Sequence, residues 1–492
     1  MYTYYIAGVP KSPDFGHVVL VADNLKQSLP YWSHEVWAKT EEEYLAWQQR
    51  FCRERNWTCN KNPLVWKRIS NSNGPYHLIG GIDEFFEMLK ENYNIDTRLD
   101  RKLKMKMAKD NEKKMKFIMA ARASTVQRVA PRGVCLTGAV YPSSCYLVSE
   151  LLQLKQLHTD GGVSIYLHNC DPNKRGDLRK IKNEIVDAEF NVRGRKAVTV
   201  VNNVEECLSK CDLLVVMGDR NGEDDEKSEK QRMNRNYNAM RSLASILNRH
   251  CPEFCKVILM NMDTLCFNLS VLAEYAHNVY LYNIVGVTGH YGMKALPNIS
   301  AATGVPISDL HCPPVWGFVG AKKYVDWYHT VYHRDRGKSP ARGEAPDSGD
   351  HQTCHKYLMS KAGYDMDEEI NGGDERSPVV GSEFLSNYSP EVRAAVAMIS
   401  EWFQSENKTI SAAIFSDGTF GLPFGMFVSQ QVYLDNGEWK PDTDFLPPDR
   451  YILKDIVSKA IEIIIEYDLG KRFHKYSKSP RLWWKTAIDK FS

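Results

Sequence analysis

Continuous apolar runs alternate with helical patterns through most of the chain. From residue 133 onward the apolar runs fall at residues 133–137, 163–167, 197–201, 212–217, 256–260 and 279–287. Runs of this kind are typical of parallel strands that helices cover on both faces. The pattern predicts an α/β fold with a doubly wound, Rossmann-type sheet. Beyond it we expect a helix, a strand, a hairpin and a closing helix, at residues 390–404, 411–415, 425–439 and 449–467.

The first 97 residues follow a different order of elements. We predict strands over residues 2–9, 62–66 and 77–81, and helices opening at Ser12-Pro13, over residues 40–56 and at residues 84–92 behind a capping Asp83. With one further strand between the first two helices, which we do not locate, these elements give the β-α-β-α-β-β-α order of a separate thioredoxin-type domain.

Charge and composition divide the chain further. Residues 98–131 predict a basic linker, because residues 98–122 carry ten basic and three acidic side chains. This stretch is either a solvated linker helix or a docking strip for an acidic partner. We expect a Rossmann-like domain over residues 132–283 and an α+β domain over 284–470. Loop insertions are expected near residues 334–352 and 366–378, and a basic tail over 471–492.

The overall composition excludes several classes of protein. The 492 residues are 43% hydrophobic and 25% charged, with a net charge of +2, so nucleic acid is not an expected partner. The 12 cysteines show no zinc-binding spacing, which favours reduced thiols, no metal site and a cytoplasmic location. We find neither a signal peptide nor a membrane span.

The turn after the first buried strand of the sheet is the main candidate for cofactor binding. Gly138 follows residues 133–137, and a helix begins near Ser143, as at the pyrophosphate turn of a dinucleotide-binding fold. Asn169 ends the second strand, where a ribose-binding acid is expected. Tyr141 stands where a second glycine is wanted, so its ring is expected to crowd a diphosphate.

Several sequence motifs resemble those of known protein families. Residues 62–66 (NPLVW) and 78–85 (LIGGIDEF) resemble glutaredoxin. Residues 136–148 (LTGAVYPSSCYLV), 313–317 (PPVWG) and 416–423 (SDGTFGLP) resemble cytosolic-type malate dehydrogenase. The chain therefore resembles the lactate/malate dehydrogenase family, in a form with an N-terminal glutaredoxin-like domain.

The glutaredoxin resemblance implies a docking module without redox chemistry. Members of that family place a nucleophilic cysteine at the start of the first helix, where the helix dipole stabilises a thiolate. Here that position reads Ser12-Pro13-Asp14-Phe15, which has no sulfur. Cys52 and Cys59 lie elsewhere in the module.

The dehydrogenase resemblance implies that malate chemistry has been lost. The family's histidine base corresponds to Val319, and the aspartate that orients it corresponds to Tyr291. Lys294 takes the place of a substrate-binding arginine, and residues 219–231 are acidic where the family carries two arginines. The N-P-x-N turn reads as residues 262–265 without either asparagine. His290 is the one substitute base that we consider.

For the cofactor, the resemblance adds Gly218 to Gly138 and Asn169. We expect NAD to bind weakly or not at all because of Tyr141. Lys174 and Arg175 leave a 2′-phosphate conceivable.

Three hypotheses follow from this resemblance. The favoured one is a catalytically degenerate scaffold that binds protein partners, in the axoneme of cilia and flagella by the family resemblance. The second is an NAD(P)-dependent oxidoreductase for malate, oxaloacetate or a related 2-hydroxy acid. The third is an NAD(H) sensor without turnover. A homodimer is possible in each case.

Overall fold

The computed structural model describes residues 2–29, 32–69, 75–95, 99–123, 130–140, 143–187, 197–218, 229–333, 355–358, 370–371 and 384–470. The chain forms two compact units, Met1–Ala123 and Ser124–Ser492.

The N-terminal unit is a four-stranded sheet with helices. Its elements are β1 Tyr2–Gly8, α1 Pro13–Ser28, β2 Ser33–Ala38, α2 Glu41–Glu54, β3 Leu64–Ile69, β4 His77–Gly80, α3 Ile82–Tyr93 and α4 Arg101–Ala123. The strand order is β2-β1-β3-β4, with β2 parallel to β1 and with β3 and β4 antiparallel to their neighbours. The predicted thioredoxin-type order of elements is confirmed.

Local sequence accounts for the helix starts in this unit. Ser12 caps α1 by accepting the Phe15 N–H at 3.4 Å, and Pro13 fits the first turn. Helix α3 begins at Ile82, two residues before the predicted start. There Glu84 accepts the Gly81 N–H at 2.8 Å, so Gly81 rather than Asp83 occupies the capping position.

Helix α4 lies inside the N-terminal unit, where the sequence predicts a linker over residues 98–131. Met107 and Ala108 are buried, and Lys104 pairs with Asp14 of α1 at 3.5 Å. Gly16 brings α1 close, since a Cβ there would stand 3.1 Å from the Asn111 side chain. The basic composition of the stretch hid these contacts, which pack α4 against α1.

The second unit is built on one large sheet. The strands of the unit are β5 Arg132–Thr137, β6 Val163–His168, β7 Val198–Val200, β8 Leu213–Met217, β9 Lys256–Met260, β10 Ile284–Val287, β11 Val315–Phe318, β12 Lys322–Val325, β13 Val331–His333, β14 His355–Tyr357, β15 Ile410–Phe415, β16 Phe427–Asp435 and β17 Glu438–Pro441. Strands β13 and β14 pair with each other in a separate two-stranded sheet. Its helices are α5 Ser144–Gln153, α6 Arg175–Asp187, α7 Glu205–Leu208, α8 Glu229–His250, α9 Leu265–Tyr275, α10 Gly289–Thr303, α11 Phe384–Phe403 and α12 Arg450–Glu466.

The topology confirms a Rossmann-type sheet. Six parallel strands lie in the order β7-β6-β5-β8-β9-β10. Successive strands are added in one direction from β5 to β7 and in the other from β8 to β10, so the switch point lies between β5 and β8. In open α/β sheets, ligands bind at the carboxyl ends of the strands at such a switch point. Antiparallel strands β15, β16, β11 and β12 continue the same sheet beyond β10, and β17 pairs with β16. The predicted domain boundary at residue 283 thus falls within one continuous sheet.

Alternating side chains along the central strands fill two apolar cores. Cys135 and Leu214 face one core, whereas Val134, Leu136 and Leu213 face the other. Both faces are covered because helices pack on each side of the parallel strands. This rigid double packing fixes the carboxyl ends of β5, β6, β8 and β9, where the cofactor candidates lie.

Among the described residues, no helix is long and apolar enough to cross a membrane. In the same ranges, no group of three or more metal-binding side chains is assembled.

Candidate functional site

The predicted cofactor residues meet at one edge of the sheet. Gly138 follows β5, Asn169 follows β6, and Gly218 follows β8. Asn261 follows β9 beside them. We call these four positions the nucleotide edge.

Two glycines let the strand ends of the nucleotide edge approach closely. Gly138 has φ +74°, and a Cβ there would stand 2.4 Å from the Met217 carbonyl oxygen. A Cβ on Gly218 would stand 2.0 Å from the Asn261 carbonyl oxygen. Neither position tolerates a side chain without a backbone shift. The two glycines therefore bring the ends of β5, β8 and β9 together at the switch point, where ligands bind in open α/β sheets.

Asn169 and His168 lie at the carboxyl end of β6, where the sequence predicts the ribose of a cofactor. The Asn169 side-chain oxygen accepts the Asp171 N–H at 2.8 Å, which fixes the amide. Its second lone pair remains suited to a ribose hydroxyl. His168 Nδ1 lies 3.0 Å from the Thr137 hydroxyl, and burial lowers the pKa of this histidine. The edge therefore offers a neutral, polar pair and not the carboxylate expected for NAD.

Asn261 is a polar group that the sequence analysis did not single out. Its backbone has φ +56°, and its side-chain amide donates to the Ser143 hydroxyl at 3.2 Å, beside the start of α5. Its Oδ1 is buried and meets no hydrogen-bond donor among the described residues. The sequence could have indicated this position, since asparagine directly after a strand is one of the few residues that adopt a positive φ.

The residues that resemble the family's catalytic positions lie around α10 and β11. We call His290, Tyr291, Lys294 and Val319 the reaction region. Helix α10 begins directly after β10, and a Cβ on Gly292 would stand 2.4 Å from the Pro313 carbonyl oxygen. This close approach sets the first turn of α10 against the segment that leads into β11.

Val319 is part of the apolar core. Its side chain is fully buried at 0% exposure, and its carbonyl accepts the Cys266 N–H at 3.0 Å. Gly320, with φ +100°, then packs against the backbone of Asp263 and Thr264. An aliphatic side chain held in this way transfers no proton.

Two lysines, Lys294 and Lys323, lie near His290 and Tyr291. The two rings lie 4.0 Å apart, and the Lys323 ammonium lies 4.8 Å from the Tyr291 ring centroid. His290 is 4% exposed, and its Nδ1 meets no hydrogen-bonding group in the part of the chain that is described. Burial, followed by the charges of Lys294 and Lys323, lowers the pKa of His290 well below its usual range. The histidine is therefore neutral at physiological pH.

Lys294 is engaged by the protein itself. Its ammonium lies 3.3 Å from a carboxylate oxygen of Glu391 in α11, and Glu391 is 6% exposed. A substrate carboxylate at the position implied by the resemblance would compete with this buried acid.

In the N-terminal unit, the residues at the position of the glutaredoxin cysteine stabilise the start of α1. The Ser12 hydroxyl caps α1, as described above, and Asp14 pairs with Lys104. A groove of about 330 Å³ adjoins this turn, lined in part by Ser12, Tyr44 and Leu45.

Several predicted site positions fall elsewhere. Tyr141 and residues 219–228 lie outside the described residues. Arg232, which flanks that loop, lies in α8. Met262 accepts a hydrogen bond from Asn268 at 3.3 Å, and Leu265 is buried at the start of α9.

The sequence is similar to a known family model and to known proteins. Residues 3–127 match the family model described as Putative malate dehydrogenase 1B N-terminal domain. Putative malate dehydrogenase 1B of Branchiostoma floridae is 22% identical over 470 residues, covering 94% of this chain and 87% of that protein.

Two solved structures are similar in fold to a large part of this chain. Malate dehydrogenase from Naegleria fowleri superposes with a TM-score of 0.54 at 16% identity, covering 74% of this chain and 100% of that one. Trichomonas vaginalis lactate dehydrogenase, in complex with NADH and oxamate, gives 0.51 at 16% identity, covering 68% and 98%. The chain thus has a lactate/malate dehydrogenase fold with an added N-terminal domain, and it resembles Putative malate dehydrogenase 1B over nearly its whole length.

Proposed function

We propose that this malate dehydrogenase-like protein is a catalytically degenerate scaffold that binds protein partners. The observation that carries the proposal is Val319, an aliphatic residue fully buried at the position that resembles the family's base. Malate oxidation requires a group that takes the hydroxyl proton as the hydride leaves.

The neighbouring residues do not replace that base. Tyr291 supplies no carboxylate to orient a histidine, and its ring faces Lys323. His290 has a pKa far below neutrality because it is buried beside two lysines. A base of this kind gains little by taking a proton, since the efficiency of general-base catalysis falls when the pKa lies well below the operating pH.

A second candidate function is NAD(H) binding without turnover. The close approach at Gly138 and Gly218, together with the unsatisfied Asn261 oxygen, supports it. The Trichomonas lactate dehydrogenase of similar fold binds NADH. When bound, NAD would supply hydride transfer, and the nucleotide edge of this chain would hold its pyrophosphate and ribose.

The first experiment is a fluorescence titration of NADH into the purified full-length chain, followed by an assay with malate and oxaloacetate. We expect no turnover. Saturable binding that weakens in Asn169→Ala would support the sensor. Turnover at the rate of a cytosolic malate dehydrogenase run in parallel would overturn the scaffold. If that turnover disappeared in His290→Asn, the chain would be an altered oxidoreductase.

The proposed setting is a cytoplasmic one, in the axoneme of cilia or flagella, and rests on the family resemblance alone. Fractionation of ciliated cells that express the tagged full-length chain tests it. Enrichment with axonemal proteins supports this setting, whereas exclusive recovery in the cell body contradicts it. Sedimentation of the purified chain separates a monomer from the proposed homodimer.

A further inference from the structure

Five cysteines gather on one side of the parallel sheet. They are Cys135 in β5, Cys207 in α7, Cys211 before β8, and Cys251 and Cys255 before β9. All five belong to the same apolar core. Nothing in the proposed scaffold function uses them.

One pair in this cluster stands in contact. The Cys207 and Cys135 sulfurs lie 3.3 Å apart, although 72 residues separate them in sequence. Cys207 also lies 3.1 Å from the Val204 carbonyl oxygen, which holds the side chain in place. A disulfide requires a sulfur–sulfur distance of about 2.05 Å, so the two sulfurs must approach by about 1 Å to bond.

Cys135 and Cys207 are 0% and 1% exposed, so a small molecule reaches this pair when the structure around it opens locally. A cavity of about 190 Å³ is lined by Cys211 and Cys255, among others. Helix α7, which carries Cys207, has only four residues and an exposed Glu206. A one-turn helix has few internal hydrogen bonds to break, so local opening there is easy.

We propose that Cys207 and Cys135 form a thiol oxidation site, at which a hydroperoxide such as hydrogen peroxide converts the two thiols to a disulfide. The Cys207 thiolate attacks one peroxide oxygen, the O–O bond breaks, and hydroxide leaves to take up a proton as water. The Cys207 sulfenic acid then reacts with the Cys135 sulfur. The S–O bond breaks, the Cys135 proton leaves with the oxygen as a second water, and the two thiols have given two electrons to the peroxide.

Position and electrostatics together assign the two roles, since Cys207 lies in the one-turn helix α7 whereas Cys135 lies inside the sheet, in β5. The hydrogen bond between the thiols lowers the pKa of Cys207 and raises the pKa of Cys135. Cys207 is therefore the sulfur that ionises first and attacks, and Cys135 is the thiol that resolves the sulfenic acid. Hydrogen bonds with Cys211 and Cys251, together with burial, raise the pKa of Cys255, which keeps that cavity-lining thiol protonated.

Mass spectrometry of the native full-length chain tests the pair. The protein is exposed to graded hydrogen peroxide, the remaining thiols are alkylated, and disulfide-linked peptides are mapped without reduction. We expect a Cys135–Cys207 link to form before the exposed Cys170 is oxidised, because the Cys135 sulfur lies next to Cys207 and can trap its sulfenic acid. Cys170→Ser is the matched control and leaves the link unchanged.

Two variants distinguish the roles. Cys207→Ser should leave Cys135 alkylatable, and Cys135→Ala should stop the reaction at a Cys207 sulfenic acid that dimedone traps. Circular dichroism confirms that each variant folds, and either one alone decides the assignment. A link between Cys211 and Cys255 in place of the predicted one would overturn the proposal. So would full alkylation of Cys135 and Cys207 after Cys170 has been oxidised.

Discussion

The nucleotide edge and the reaction region differ in what holds them in shape. At the nucleotide edge, Gly138 and Gly218 let the ends of β5, β8 and β9 approach to distances that any side chain would prevent. In the reaction region, Val319 is buried in the apolar core and Lys294 is held by Glu391. The first region has the strand-end geometry of a Rossmann-type sheet, whereas the second has a buried aliphatic side chain at the position that resembles the base.

This difference shows that a site's shape and its chemistry depend on different residues. The Gly218 contact is between backbone atoms of neighbouring strands, so the fold needs this glycine whether or not a cofactor binds. Its presence supports a Rossmann-type sheet and does not by itself establish NAD binding. The position that resembles the base, by contrast, holds Val319, which packs in the apolar core and carries no titratable group.

Gly218→Ala should have the largest effect. The added Cβ would lie 2.0 Å from the Asn261 carbonyl oxygen, so the ends of β8 and β9 must separate. We expect a loss of roughly 3 kcal/mol or more in the free energy of unfolding, measured by urea denaturation. Gly176→Ala is the matched control, because a Cβ there meets open space at the start of α6, and it should be neutral or slightly stabilising. Equal stability of the two variants would refute the conclusion that the close approach of β8 and β9 excludes a side chain at Gly218.

Restoring the family's base tests the reaction region. Val319→His combined with Tyr291→Asp places the two side chains at the corresponding positions. Because the Val319 site is a fully buried part of the core, a histidine there should cost roughly 2–3 kcal/mol of stability, by urea denaturation. Val319→Ile, which adds one methylene, is the packing control. Appearance of malate oxidation in the double variant, without loss of stability, would show that the region is still arranged for catalysis.

Most of the fold could be predicted from the sequence because its signals are local. The apolar runs gave the six parallel strands, and Ser12-Pro13 gave the start of α1. Helix α4 was assigned to a linker because Met107 and Ala108 are a small apolar contribution within a basic stretch. Strand β2 was not located, since its largely polar residues show no apolar run.

The candidate site was less predictable because its determinants are long-range. Gly138 and Gly218 were found from their positions after strands, but their steric necessity depends on which strands are neighbours. Asn261 meets Ser143 across 118 residues, and Lys294 meets Glu391 across 97. No pattern in the sequence joins such pairs.

The stability of the protein should fall as the pH drops below 6.5. The pKa of His290 in the folded chain lies well below the value of 6.5 expected when unfolded, and the pKa of His168 is also lowered. Above pH 6.5 both states are neutral, whereas below it the unfolded chain binds protons that the folded chain does not. Between pH 7 and pH 5 we expect His290 to contribute a loss of about 2 kcal/mol, measured by thermal or urea unfolding.

The variant His290→Asn isolates that contribution. Its unfolding free energy should depend less steeply on pH over this interval, whereas a change at the exposed His250 should leave the dependence as it is. An unchanged slope in His290→Asn would mean that the histidine is protonated in the folded chain, which would reopen its candidacy as a base.

The ion pair of the reaction region should give the smallest effect. A double-mutant cycle with Lys294→Met and Glu391→Gln measures the coupling between the two charges, which we expect at about 0.5–1 kcal/mol because Lys294 is partly exposed and Glu391 is buried. The matched control is the surface pair Lys459–Glu462 in α12, whose coupling should be near zero. Equal coupling in both pairs would mean that Glu391 does not restrain Lys294, leaving the ammonium available to an anionic ligand. The expected difference would instead show that the charge retained in the reaction region is used to hold α10 against α11.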